Sequence, residues 1–180
     1  MNLSDEFMMQ KVKEGEVERL ALLFERYHLE LYNFFLKFSR DKDLSSDLTQ
    51  NVFYRILKYK NSYKSHKKFR TWMYMIARNT RIDAFKKNKI SYHSEDIESI
   101  KNFKVDDVSE IEERESSDVI KKALSLMNHE KRELIIMSFY LEMSTSEIAK
   151  VLEISENNTR VRFHRALTDL KSIYNKISKL

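Results

Sequence analysis

A chain of 180 residues with one glycine and no proline has almost nothing from which to build tight turns. Hairpins need residues that accept positive φ or pre-set a bend, and sheets built from hairpins carry such residues at short intervals. Leucine, isoleucine, lysine and glutamate are abundant instead. The expectation is an all-α fold: two small helical domains joined by a flexible acidic linker, the C-terminal domain a helix-turn-helix. The length accommodates one ordinary domain or two small ones. No cysteine is present, which excludes disulfides, Cys-based zinc sites, iron–sulfur clusters and thiol catalysis. The opening MNLSDEFMMQKVKEG holds no apolar stretch of signal-peptide length. No run approaches the roughly 18 apolar residues that span a bilayer. A cytoplasmic protein with no membrane insertion of its own is expected.

Helical periodicity recurs along the chain. Leu20, Phe24, Tyr27, Leu31, Phe35 and Phe38 step by 4, 3, 4, 4 and 3, which predicts a long amphipathic helix with an aromatic core face. Gly15 lies just before it, where a helix cap or turn is cheap for glycine, and the charged run Arg40–Asp43 ends it. The next helix, from about Leu44 to Tyr59, buries Leu44, Leu48, Val52 and Ile56 and turns Asp47, Gln50, Asn51 and Tyr54 outward. Lys60–Lys68 (KNSYKSHKK) lacks periodicity and reads as an exposed basic loop. A helix from Phe69 to Lys87 follows with two arcs. Phe69, Trp72, Met73, Ile76, Ala77, Thr80 and Ala84 form one and are read as core; Arg70, Tyr74, Arg78, Arg81 and Phe85 form another, read as turned away from the core.

Charge sharpens this picture. Between Tyr54 and Lys89 stand twelve Lys or Arg residues, one acid (Asp83) and seven aromatic rings. Positive charge follows a phosphate backbone by releasing condensed counterions. Interleaved rings stack on unpaired bases, at roughly 1–3 kcal/mol per base. The competing reading is a helix whose rings are core and whose lysines are solvated. A duplex-only binder would have little use for the rings. Residues 1–91 carry a net charge of +8, residues 92–122 a net of −5, and residues 123–180 a net of +2. Two basic blocks flanking an acidic one suggest two nucleic-acid-facing modules and a connector that avoids the polyanion. Most of residues 92–118 is therefore expected to be linker, with Ser109 and Glu112 as a capping box opening a helix that reaches about Met127.

Asn128 is a plausible N-cap for another helix, with Leu134, Met137 and Leu141 in its core. Ser144 and Glu147 form a second capping box, followed by the short apolar face Ile148, Ala149 and Leu152. After Glu153-Ile154, Ser155 is well placed to cap a last helix with Thr159, Phe163, Ala166 and Leu170 on one face. Asn157, Asn158, Arg160, Arg162, His164 and Arg165 occupy its other surfaces. Short helix, tight turn and second basic helix make the helix-turn-helix plan, whose second helix enters the major groove.

At this point the chain resembles bacterial RNA polymerase sigma factors of the extracytoplasmic-function type (sigma-70 family, group IV) over nearly its whole length. DLTQNVFYRIL (Asp47–Leu57) is similar to the family's Asp-Leu-x-Gln-Glu-x-Phe helix. FRTWMYMIARNTRIDAFKK (Phe69–Lys87) is similar to its Phe-x-x-Trp-Leu-x-x-Ile-Ala-x-Asn helix, and SEIAKVLEISENNTRVRFHRAL (Ser146–Leu167) to its promoter-reading helix-turn-helix. The last motif is weakly specific alone; the Trp-plus-Ile-Ala-Arg-Asn block upstream is much more so.

The resemblance implies a first domain, residues 1–91, that binds the beta-prime clamp of core RNA polymerase and reads and melts the −10 element of promoter DNA. A linker at 92–109 and a second domain, 110–180, that binds the beta flap and reads the −35 element would follow. Asp47 and Gln50, with Asn51 and Tyr54 on the same face, would meet the clamp. Lys64, Lys67 and Lys68 would border a pocket for a flipped base, and Arg70, Tyr74, Arg78, Arg81 and Lys86 would extend that surface. Asn79 matches a family position near the same DNA, although helical projection places it away from the basic stripe. Asn157, Asn158, Arg160, Arg162, His164 and Arg165 would approach the −35 element. An anti-sigma factor is a usual partner; no cofactor, metal or catalysis is implied.

Four positions depart from the family pattern: Asn51 for a usual glutamate, Met127 for a frequent proline, and Glu153 and Asn157 at positions usually glycine. The alternative function is a free-standing helix-turn-helix regulator binding duplex operators.

Overall fold

The computed structural model describes residues 3–91 and 111–178. The chain divides into two units, Met1–Phe103 and Lys104–Leu180, and among the described residues every regular element is helical. The expected linker at 92–109 and the proposed cap Ser109 lie outside the described residues.

Unit 1 comprises α1 (Asp5–Glu14), α2 (Arg19–Ser39), α3 (Lys42–Lys58), a 3-10 turn at Lys60–Ser62, and α4 (Phe69–Ser91). Ser4 caps α1 by accepting from the Phe7 N–H, and Gly15 ends it at φ 116°, a left-handed conformation that glycine takes without steric cost. The break at Arg40–Asp43 works as two caps back to back. Arg40 closes α2 in the left-handed region (φ 55°), and the Asp41 carboxylate opens α3 by accepting from the Leu44 N–H at 2.9 Å.

The core of unit 1 is aromatic. Leu23, Tyr27, Leu31, Phe34, Phe35 and Phe38 line the inner face of α2 and are buried. Phe24, expected among them, is 39% exposed and lies edge-on to Phe53 of α3. Phe34 is the hub, making edge-to-face contacts with Phe35, Phe38 and Tyr74 at 5.2–5.4 Å between centroids. Such pairs add about 0.5–1.5 kcal/mol each beyond the area they bury.

Unit 2 comprises α5 (Ile111–Leu126), α6 (His129–Ile135) continued by a π-helical turn (Ile136–Tyr140), α7 (Thr145–Leu152) and α8 (Glu156–Ile177). The expected N-cap Asn128 accepts from the Glu130 N–H at 2.9 Å, and Leu134, Met137 and Leu141 are buried as anticipated. Met127 is buried beside this cap. α8 is the spine of the unit, with α5, α6 and α7 all packed on it and Lys131 of α6 paired to Asp169 at 3.1 Å.

Candidate nucleic-acid interfaces

In unit 2, α7 begins with a complete capping box. Ser144 Oγ accepts from the Glu147 N–H while the Glu147 carboxylate accepts from the Ser144 N–H at 3.0 Å. Glu153 closes α7 in the left-handed region, at φ 56° and ψ 40°. Its N–H reaches the Lys150 carbonyl, and the Ile154 N–H reaches back to Ala149 at 3.0 Å, the two-bond pattern of a Schellman cap. Ser155 then caps α8 through the Asn158 N–H. The whole turn therefore takes three residues.

Thr159 and Ala166 fix α8 against the rest of the unit, with Phe163 and Leu170 half-buried on the same face. Asn157, Asn158, Arg160, Arg162, His164 and Arg165 are all exposed, as the sequence predicts. Two of the arginines are steadied from one turn back. Arg162 Nε donates to Asn158 Oδ1 at 3.0 Å, and Arg160 lies 3.8 Å from the Glu156 carboxylate. Asn157 sits inside the first turn of α8, so its helical backbone makes no demand for a glycine-like conformation. Of the two glycine-replacing residues, only Glu153 bears that demand.

In unit 1 the outward face of α3 is as expected: Asp47, Gln50, Asn51 and Tyr54 are exposed, Tyr54 at 64%. Asn51 has a second role. Its Oδ1 accepts from Arg55 Nε at 2.8 Å, and Arg55 in turn pairs with Asp83 of α4 at 2.8 Å, clasping the two helices together.

The basic stripe expected on α4 is corrected. Tyr74 is fully buried, its hydroxyl donating to Glu30 of α2 at 2.8 Å. Arg81 is buried with its guanidinium 3.9 Å from the centroid of the Phe38 ring. Arg70 is half-buried and paired with the same Glu30 carboxylate. Burial alone would lower the Arg70 pKa; hydrogen bonding and charge attraction from Glu30 outweigh it and leave the value raised.

The physical reason is angular. At about 100° per residue, the Arg70-Tyr74-Arg81 row lies immediately beside the Phe69-Met73-Ala77 row, not opposite it. The two rows form one broad buried arc, and the first of them meets the Glu30-Phe34-Phe38 ladder of α2. The side left to solvent centres on Asn79, Asp83 and Lys86, all exposed, with Met75 half-buried at one edge and Trp72, on the same side, half-buried against Tyr63 of the loop. Asn79, projected away from the stripe, is on the outward side because the stripe is turned in. Arg78 and Phe85 are intermediate.

Lys64, Lys67 and Lys68 are exposed on the loop before α4. That loop is not uniformly solvated. Tyr63 is fully buried, packs its ring on Trp72 at 5.1 Å, and donates its hydroxyl to the Lys67 carbonyl at 2.7 Å. The loop wraps around this ring and holds its lysines outward. Burial, then the nearby Glu6 and Asp5 charges, push the Tyr63 hydroxyl well above the usual phenol range. The exposed ring of Tyr59, 47% accessible with Lys58 5.6 Å from its centre, completes the border. Sequence reasoning assigned Tyr59 only as a helix end, although it belongs to the same aromatic-basic block.

The fold and these surfaces define a helical, two-unit DNA-binding protein, one unit a helix-turn-helix and the other carrying a lysine loop beside an exposed polar helix face. Residues 23–90 match the family description Sigma-70 region 2, and residues 117–170 match Sigma-70, region 4. Among curated relatives, the chain is 28% identical to the ECF RNA polymerase sigma factor SigX of Bacillus subtilis, over 86% of this chain and 82% of that protein. It is 29% identical to SigM of the same organism, over 86% and 94%. Among solved structures, CnrH in complex with the cytosolic domain of CnrY gives a TM-score of 0.73 at 18% identity, covering 96% of this chain and 97% of that one. The sigma factor RpoE in complex with the anti-sigma factor NepR from Bartonella quintana gives 0.69 at 20% identity, covering 86% and 96%. These two structures speak to the fold. The chain belongs to the sigma-70 family, as a sigma factor of the extracytoplasmic-function group.

Proposed function

We propose that this protein acts in the cytoplasm as a dissociable specificity subunit of RNA polymerase, directing initiation at promoters with −35 and −10 elements and doing no covalent chemistry itself. Residues 1–91 would serve the core clamp and the −10 element, 110–180 the beta flap and the −35 element, and 92–109 would tether them. The carrying observation is the pairing, in the family's order, of an exposed lysine loop beside α4 with a helix-turn-helix whose recognition face is free of core duties.

Asp47, Gln50, Asn51 and Tyr54 form the core-binding face. Lys64, Lys67, Lys68, Asn79 and Lys86 form the −10 surface, with Arg70 and Arg78 at its margin. Tyr74 and Arg81 leave the DNA-contacting set and act as core. Arg160, His164 and Arg165 approach −35 bases or phosphates, and Arg162 is set for phosphate. The strand-opening step is a population shift: contacts made only with separated bases favour the bubble over the duplex. Stacking on exposed rings supplies roughly 1–3 kcal/mol per base, while a few kcal/mol of unpairing and unstacking must be overcome. Two solved relatives are complexes, CnrH with CnrY and RpoE with the anti-sigma factor NepR. We extend that to an anti-sigma partner here.

The test is transcription by purified core polymerase, with and without this protein, on a library of genomic promoter fragments. Selective initiation that depends on the protein supports the reading. Tight binding to palindromic duplex sites in the absence of polymerase would instead establish a free-standing regulator.

A further inference from the structure

The region 2 match begins at residue 23, so α1 lies upstream of it. α1 nevertheless grips both ends of the lysine loop. At the loop's exit, Glu6 Oε1 accepts from the N–H of Phe69, the first residue of α4, at 3.1 Å. At its entry, Lys13 Nζ donates to the Tyr63 carbonyl at 2.9 Å and Lys60 Nζ donates to the Val12 carbonyl at 3.3 Å. Met9 and Val12 of α1 are fully buried, as is Tyr63. α1 is itself anchored, its Asp5 bonded to Tyr27 and Arg26 of α2. With a rise of about 1.5 Å per residue, Glu6 and Lys13 sit roughly 10 Å apart along the helix, a span set before any DNA arrives.

We propose that α1 is a positioning element for the strand-capturing loop, with Glu6 and Lys13 as its positioning residues. This rests on the role given to Lys64, Lys67 and Lys68 under Proposed function. A free loop loses conformational entropy when it closes on a separated strand, and one already held at both ends loses less. Glu6 supplies a charged acceptor to the positive end of α4, where backbone donors lack intrahelical partners. Lys13, although basic, is directed at protein backbone and is not part of the DNA-facing charge.

The experiment uses the full chain as wild type, Glu6→Ala, Glu6→Gln and Lys13→Ala. Amide hydrogen exchange is measured at residues 64–69, and initiation with core polymerase is measured on duplex and pre-opened templates of one promoter sequence. Glu6→Ala should speed exchange of the Phe69 amide by roughly 10- to 100-fold, the factor expected for losing a hydrogen bond to a charged group. It should also lower initiation on the duplex template several-fold relative to the pre-opened one, and Glu6→Gln should recover most of both losses. Lys13→Ala should show the same template bias, more weakly, and serves if Glu6→Ala does not fold. Equal losses on the two templates, or unchanged exchange at 64–69, would overturn the proposal. If wild type initiates on neither template, the promoter reading itself fails, and exchange at 64–69 still decides whether α1 holds the loop.

Discussion

Replacing Glu153 by glycine should make unit 2 more stable, an uncommon result for a substitution in a helix-turn-helix. Glu153 sits at φ 56° and ψ 40°, is exposed, and contributes its backbone N–H to the cap that ends α7. A non-glycine residue in this conformation costs roughly 1–2 kcal/mol through crowding of its Cβ against the following carbonyl. Glycine relieves that strain but gives the unfolded chain more freedom, a counter-term of about 0.4–1 kcal/mol. The net gain is about 0.5–1 kcal/mol, or a rise in melting temperature of roughly 3–6 °C for a domain of this size. Calorimetry on the full chain, following the transition of unit 2, measures it. Glu153→Ala is the control, since alanine keeps the Cβ and should not stabilise. Gly15→Ala is the mirror experiment: its Cβ would meet nothing within 4 Å, yet φ is 116°, so any loss is conformational. An unchanged or lower melting temperature for Glu153→Gly, or equal gains for the glycine and alanine variants, would refute the reasoning.

Tyr74→Phe should lower the stability of unit 1 by about 1.5–3 kcal/mol, the worth of a hydrogen bond to a carboxylate. Its promoter opening should match wild type at a temperature where both are folded; a selective loss of opening would put Tyr74 back on the DNA. Arg160→Ala should blur preference at one or two −35 positions by about 1–3 kcal/mol if the guanidinium reads guanine, measured by selection from randomised −35 sequences. Arg162→Ala should weaken all sequences alike and shallow the salt dependence by about 0.9 in slope, measured as binding affinity against salt concentration. Burial, reinforced by Asp5, raises the Tyr27 pKa, and burial does the same for Tyr63. Both stay neutral in the folded state while the unfolded chain ionises, so their contribution is complete below about pH 10 and is lost as pH climbs past it. Melting of unit 1 against pH should fall in that window, and less steeply for Tyr27→Phe.

The parts of this molecule legible in the sequence are those governed by local chemistry. Helix starts at Asn128, Ser144 and Ser155 follow from side chains that accept from the backbone within a few residues, and the stop at Gly15 from the positive φ that glycine takes freely. The exposed basic face of α8 was legible because Thr159 and Ala166 leave little else to bury. The polar face of α3 was legible because Leu48, Val52 and Ile56 recur every four residues and leave the opposite side to polar groups. What escaped depends on partners far along the chain. Nothing near Tyr74 announces that Glu30, 44 residues earlier, takes its hydroxyl proton in a hydrogen bond. Tyr63 looked like loop because its burial depends on Trp72 and on α1, which periodicity cannot supply. Two left-handed residues, Arg40 and Glu142, carry no glycine or asparagine signature to flag them. The stripe on α4 was misassigned because two neighbouring rows on one helix were treated as separate faces.

The most direct measurement compares the affinity of the core polymerase complex for two versions of one promoter. In one, the non-template −10 strand is unpaired; in the other, it is fully duplex. The account predicts tighter binding to the unpaired form, a preference that largely disappears when Lys67 and Lys68 are both replaced by alanine. Equal affinity for the two forms, or no complex with core polymerase at all, would contradict it.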